Sequence, residues 1–131
     1  MLGNAIDPPY PPGSFDLLTN RWVLWTLIDP ERAFRNWFTV LRSGGQALVI
    51  DSLHPPDEQK PAWSPYTPAV ATALPMRGLR SAVEPELLAA KCGFVRIRTV
   101  VLDEINNLEQ MLHPDAGAAS SPRYALIMDK P

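Results

Sequence analysis

Cysteine, histidine and excess charge are all scarce in this chain of 131 residues. Cys92 is the only cysteine, which excludes an internal disulfide and a thiolate metal cluster. It reads as a small apolar core residue. His113 and the carboxylates show no metal-ligand spacing, so no metal is expected. The net charge of −2 lacks the basic excess that phosphate contacts require, which argues against nucleic-acid binding. No apolar run approaches the ~18 residues that a membrane span needs. The opening stretch to Pro9 lacks the basic-then-apolar layout of a secretory signal. A cytoplasmic protein with no membrane contact is the expectation. No internal repeat is visible.

What is present suits one modest domain spanning 1–131, with 46% hydrophobic and 20% charged residues, ordinary values for a globular chain. Pro8, Pro9, Pro11 and Pro12 exclude regular structure at the start. Phe15 to Thr19 is an apolar run of strand length without alternation, predicting a strand buried on both faces. The aromatic-rich stretch from Trp22 to Leu27 predicts a short helical turn under the carboxyl edge of the sheet. Asp29-Pro30-Glu31 is a helix start: an acceptor for free N–H groups, a proline at the first position and an acid at the positive end. Ala33, Phe34, Trp37, Phe38, Val40 and Leu41 recur at helical spacing. Gly44-Gly45 is expected to end that helix. Gln46 to Asp51 reads as a second buried strand.

His54 to Leu79 is punctuated by six prolines, with Trp63 and Tyr66 between them. A lid-like loop over 54–80 is predicted, with a short helix near Pro68 to Leu74. Ser81-x-x-Glu84 has capping-box spacing ahead of a helix from Pro85 to Cys92, which Gly93 ends. Phe94 to Leu102 alternates early, as a half-buried edge strand with Val95, Ile97 and Thr99 on one face. Asp103 to Leu112 carries an apolar stripe of Ile105, Leu108, Met111 and Leu112. Pro114 to Ser121 is a small-residue loop, and Arg123 to Asp129 is the last strand. Alternation of this kind predicts an α/β sheet with helices on its faces.

These residues resemble a known family. Gly3-Asn4-Ala5, then Pro9-Tyr10-Pro11 and Gly13-Ser14-Phe15-Asp16, are similar to the middle motif of class I S-adenosylmethionine-dependent methyltransferases, where Gly-Asp-Ala and a proline turn precede a Ser-Phe-Asp strand. Leu41-Arg42-Ser43-Gly44-Gly45 resembles the Gly-Gly junction before that family's fifth strand. Lys91-Cys92-Gly93-Phe94 resembles the Ala-Gly-Phe step before its sixth, and Arg123-Tyr124 to Lys130-Pro131 its closing strand. The resemblance covers essentially the whole chain. It implies a partial Rossmann-like methyltransferase sheet with strands equivalent to the fourth to seventh, the last antiparallel, flanked by helices. The family's first strand, glycine-rich turn, first helix, and second strand with its terminal acid have no counterpart in these residues. The expectation is a single truncated domain equivalent to the C-terminal half, starting near the end of the third strand.

The resemblance implies that S-adenosylmethionine is the cofactor. Asn4 stands where the family has an acid that accepts from the adenine amino group, and an amide oxygen can also accept. Ala5 and Ile6 would bound the adenine with backbone groups. Asn20 and Arg21 would approach the methionine part, at the carboxyl edge where open α/β sheets bind ligands; the alternative is that Asn20 caps the next turn and Arg21 is a surface charge. Trp22 and Trp25 are either an aromatic wall of the acceptor site or core. His54 is either a general base toward the acceptor or an exposed loop residue. No catalytic residue can be named, because transfer from a sulfonium needs positioning more than acid–base help.

The acceptor is expected to be a small molecule, selected by the proline-rich loop. Its aromatics suit a hydrophobic one. Three readings follow: a methyltransferase incomplete on its own; an inactive truncated domain that binds or oligomerises through the apolar strand edge of Phe15–Thr19, with a second copy or an N-terminal partner chain; or a Met1 internal to a longer reading frame.

Overall fold

Helix α1 spans Pro30–Val40, where the sequence places its start signal. The Asp29 carboxylate accepts from the Arg32 N–H at 3.0 Å, and Pro30 takes the first helical position. The computed structural model describes residues 3–53, 66–112 and 121–131. In chain order these form strand β1 (Phe15–Arg21), a 3₁₀ turn (Leu24–Thr26), α1, β2 (Leu41–Ser52), α2 (Pro68–Thr72), α3 (Val83–Lys91), β3 (Val95–Val101), α4 (Asp103–Leu112) and β4 (Arg123–Asp129). The sheet order is β1-β2-β4-β3. β1 runs parallel to β2, and β4 runs antiparallel to both of its neighbours.

The apolar stripe of α1 faces the core as its spacing predicts: Ala33, Phe34, Trp37 and Val40 are buried. They pack with Ala47 and Val49 of β2, Ala89 of α3, Phe94, and Tyr124, Leu126 and Met128 of β4. Each large side chain buried in this way contributes about 1.5–3 kcal/mol. Phe94 stands edge-on to Phe34 and to Phe38, with ring centroids 6.4 and 5.1 Å apart.

Several local expectations are corrected. Gly44-Gly45 does not end α1. The helix stops at Val40, and β2 begins with the next residue. Both glycines lie inside β2, where the pairing slips between Phe15 and Leu17. Gly44 has φ +78°, and a Cβ on Gly45 would sit 2.9 Å from the Arg42 carbonyl oxygen and 3.0 Å from that of Asp16. The pair builds a bulge that the backbone can make only without side chains. The Ser81–Glu84 capping box does not form either. The residue ahead of α3 is Ala82, with no side-chain cap. β1 extends to Arg21 and is not buried on both faces: it is an edge strand, and Leu17 is 54% exposed. The alternation of β3 is broken by a register shift between Val95 and Arg98, with Arg96 at φ +47° and Val95 exposed. The apolar stripe of α4 is exposed at Ile105, Leu108, Met111 and Leu112. No helix among the described residues is long and apolar enough to cross a membrane.

Candidate functional site

Two groups of predicted residues occupy two places. The first is the segment of Asn4, Ala5 and Ile6, which α1 holds by its backbone. The Trp37 indole N–H donates to the Ala5 carbonyl at 2.8 Å, and the Asn36 amide donates to the Ile6 carbonyl at 2.8 Å and to the Asp7 carboxylate at 3.2 Å. Arg32 pairs with Asp7 at 2.8 Å. Within the segment the Asn4 side-chain oxygen accepts from the Ile6 N–H at 3.0 Å, a local turn that asparagine favours. Asn4 itself is exposed.

The second group gathers at the carboxyl end of β1. The side chain of Asn20 caps nothing: its amide nitrogen and oxygen are both buried without a hydrogen-bond partner. Arg21 lies with its guanidinium carbon 4.7 Å from the centre of the Trp22 ring. Trp22 is not core. It is 44% exposed, with φ +57°, and its N–H donates to the Ile50 carbonyl at 2.9 Å. Trp25 is half-buried, edge-on to Tyr66 with centroids 5.7 Å apart. His54 lies outside the described residues, as do Trp63, His113, residues 54–65 of the first predicted loop and residues 114–120 of the second.

Asp51, the acid at the end of β2, is 4% exposed. Its carboxylate accepts from the Trp25 N–H at 3.3 Å and the Ser52 N–H at 2.8 Å. It thereby ties the 3₁₀ turn to the sheet, while Leu24 and Leu27 plug the turn into the core. Next to it in register stands Tyr124. That hydroxyl is buried without a partner, and burial first, then Asp51 and Glu86, pushes its pKa up.

Sequence reasoning missed Arg123. This first residue of β4 brings its guanidinium carbon 5.0 Å from the Trp22 ring centre and pairs with Glu109 of α4. Nothing local in the sequence marks it, because only the antiparallel return of β4 carries it to this edge. Among the described residues no group of three or more His, Cys, Asp or Glu side chains could hold a metal ion.

Comparison with known proteins gives this edge a context. The methyltransferase-domain family profile matches residues 1–49. The ubiquinone/menaquinone biosynthesis C-methyltransferase UbiE of Pseudoalteromonas translucida is 36% identical over 55 residues, 42% of this chain and 22% of that protein. The UbiE of Cronobacter sakazakii is 38% identical over 52 residues. The chain resembles class I S-adenosylmethionine-dependent methyltransferases in these residues and in its fold. It spans about a fifth of the length of these methyltransferases (22% and 21%).

Solved methyltransferase structures share the fold. A possible histamine N-methyltransferase from Thermotoga maritima superposes on 98% of this chain with a TM-score of 0.67 at 19% identity, covering 62% of that protein. The phosphoethanolamine N-methyltransferase 2 of Haemonchus contortus, solved with S-adenosylhomocysteine, does so over 98% with a TM-score of 0.65 at 17% identity, covering 36% of that protein. In the methyltransferase frame β1, β2, β3 and β4 are the fourth, fifth, sixth and seventh strands, the last antiparallel as expected. Asn20, Arg21 and Trp22 thus end the fourth strand, and the outer edge of β1 is unpaired among the described strands.

Proposed function

We propose that these residues form one wall of an S-adenosylmethionine cleft and part of the acceptor site of a methyltransferase acting on a small molecule. The observation that carries this reading is the Asn20 amide, buried at the carboxyl edge of β1 with neither polar atom paired. A buried polar group left unpaired costs about 1–3 kcal/mol. A cofactor with amino, carboxylate and hydroxyl groups could supply its partners. The likeness of residues 1–49 to a methyltransferase domain supports the same cofactor.

Asn4, Ala5 and Ile6 would border the adenine, on a segment that Trp37 and Asn36 already hold in place. Holding it beforehand spares the ordering cost on binding. Asn20 and Arg21 would border the methionine end. Trp22 and Trp25 would line the acceptor side, with His54 a further acceptor-side group on the sequence reading. The bound cofactor supplies an electrophilic methyl group on a sulfonium; the protein's part is to place the acceptor in line and exclude water. The opposite wall would come from a strand bearing a glycine-rich turn and pairing with the free edge of β1, so that these residues are incomplete on their own.

A second reading is an inactive domain that binds or oligomerises through the β1 edge, in a second copy or with an N-terminal partner chain. It is favoured by the exposed Leu17 on that edge. Fold alone does not decide between them; one structure similar to this chain, at a TM-score of 0.62, is described as the [4+2]-cyclase SpnF. Titration calorimetry with S-adenosylhomocysteine on the full chain separates them. Micromolar binding that Asn20→Leu abolishes supports the first. A folded chain with no affinity, whose self-association is lost in Leu17→Lys, supports the second.

A further inference from the structure

Trp22 is held in an unusual state. A bulky residue in the left-handed region of backbone space is rare, and such conformations cost about 1–3 kcal/mol each. Trp22 keeps φ +57° through the bond from its N–H to the Ile50 carbonyl at 2.9 Å. The strain serves no packing, since the indole is 44% exposed and outside the core cluster. What it achieves is a ring placed between two separate elements: the guanidinium carbon of Arg21 at 4.7 Å from its centre and that of Arg123 at 5.0 Å.

The two arginines are not equivalent. Arg123 is anchored: its backbone N–H donates to the Asn106 side chain at 2.9 Å, its carbonyl accepts from Leu102 at 2.9 Å, and its guanidinium pairs with Glu109. Its side chain is 19% exposed. Arg21 is exposed and makes no ion pair among the described residues. Two guanidiniums therefore meet one ring, and Glu109 pairs with only one of them. Two cations drawn to one ring also repel each other, and a bound anion relieves that repulsion. Each guanidinium offers a planar fork suited to carboxylate or phosphate.

We propose that Arg21, Trp22 and Arg123 form an oxyanion subsite for the methyl acceptor, so that the acceptor carries a carboxylate or phosphate group. This rests on the methyltransferase reading above and names its substrate class. The same chemistry could come from the cofactor's own carboxylate, and the test separates the two sources.

The test uses the full chain, with benzoate, benzyl alcohol and inorganic phosphate as probes, read by calorimetry and by the Trp22 indole N–H resonance. Benzoate is expected to bind at least about tenfold more tightly than benzyl alcohol, as charge-assisted bonds to a guanidinium require, and to shift the Trp22 resonance. Phosphate should compete with it. Arg21→Met and Arg123→Met should each weaken benzoate about tenfold, with Arg21→Lys falling between Arg21→Met and the parent. Because Arg123 also ties α4 to β4, circular dichroism checks the fold of its variant, and the exposed Arg21 variants carry the test if that one unfolds. S-adenosylhomocysteine affinity should stay within about twofold in Arg123→Met, less than the loss of one charged bond produces, and should fall less than benzoate affinity in Arg21→Met, since Arg21 also borders the methionine end.

Equal binding of benzoate and benzyl alcohol, or no binding of either, overturns the proposal. So does an Arg21→Met variant that loses affinity for S-adenosylhomocysteine but not for 5′-methylthioadenosine, which lacks the carboxylate, while its benzoate affinity is unchanged; the arginine then serves the cofactor alone. Arg21-dependent benzoate binding without any S-adenosylhomocysteine binding upholds the anion site and removes the methyltransferase reading.

Discussion

The indole N–H of Trp37 donates to the backbone carbonyl of Ala5 at 2.8 Å. A buried helix residue thereby holds the segment that precedes the first strand. Trp37→Phe keeps the packing and removes the donor. It should cost about 1 kcal/mol of stability in urea unfolding and speed proteolysis of the Asn4–Asp7 segment. Unchanged proteolysis would show that Asn36 and Arg32 hold the segment without Trp37.

The ammonium of Lys130 sits at the other end of α1, donating to the carbonyls of Phe38 at 2.8 Å and Leu41 at 2.7 Å, and lying 4.6 Å from the centre of the Phe38 ring. It satisfies carbonyls that a helix end leaves open and suits the negative end of the helix. Lys130→Met retains the apolar stem and loses both bonds. A loss of about 1.5–3 kcal/mol is expected, the range for bonds to a charged group, read from the shift in denaturation midpoint at constant slope.

Tyr124 is fully buried, yet its hydroxyl has no partner. Burial, then Asp51 and Glu86, raises its pKa, so it cannot shed the cost by ionising. Tyr124→Phe should therefore be neutral or stabilising, by up to about 1–3 kcal/mol. A destabilised variant in thermal unfolding would mean that the hydroxyl has a partner in solution, such as a buried water.

Asp129 couples stability to pH. Gln46 donates to one of its oxygens and Arg96 to the other, both at 2.7 Å, and these bonds hold its pKa below the ordinary carboxylate value. A carboxyl group with a lower pKa folded than unfolded contributes stability that is fully present above the unfolded value, about 4. That stability is lost as pH falls through the folded value. Asp129→Asn should be less stable than the parent at pH 7, and the gap should close on acidification. Urea midpoints from neutral to acidic pH measure it; a constant gap would show that the role is packing alone.

Much of the fold was legible because its signals are local. Asp29-Pro30 and the apolar stripe located α1 to within a residue, and the breaks after Gly93 and before Arg123 located β3 and β4. Errors fell where a local signal had two physical uses. A Gly-Gly pair allows positive φ, which serves a helix end or a bulge equally, and here the pairing of β2 with β1 took it for the bulge. Ser81 and Glu84 had capping spacing, but α3 started one residue too late to use it. The site was half legible. Asn20, Arg21 and Trp22 follow an apolar run, so they had to stand at a strand end. Arg123 could not be found, because no spacing relates it to Trp22.

The sequence by itself determined the alternation of strands and helices, the helix start at Asp29 and the resemblance to a methyltransferase family, since these reside in periodicity and short motifs. Only the tertiary structure decided the order β1-β2-β4-β3, the edge of β1 left unpaired among the described strands, the buried unpaired amide of Asn20 and the meeting of Arg21 and Arg123 at Trp22. Each depends on which strand lies beside which, and strand pairing is set by burial summed over distant residues, which no single stretch of chain encodes.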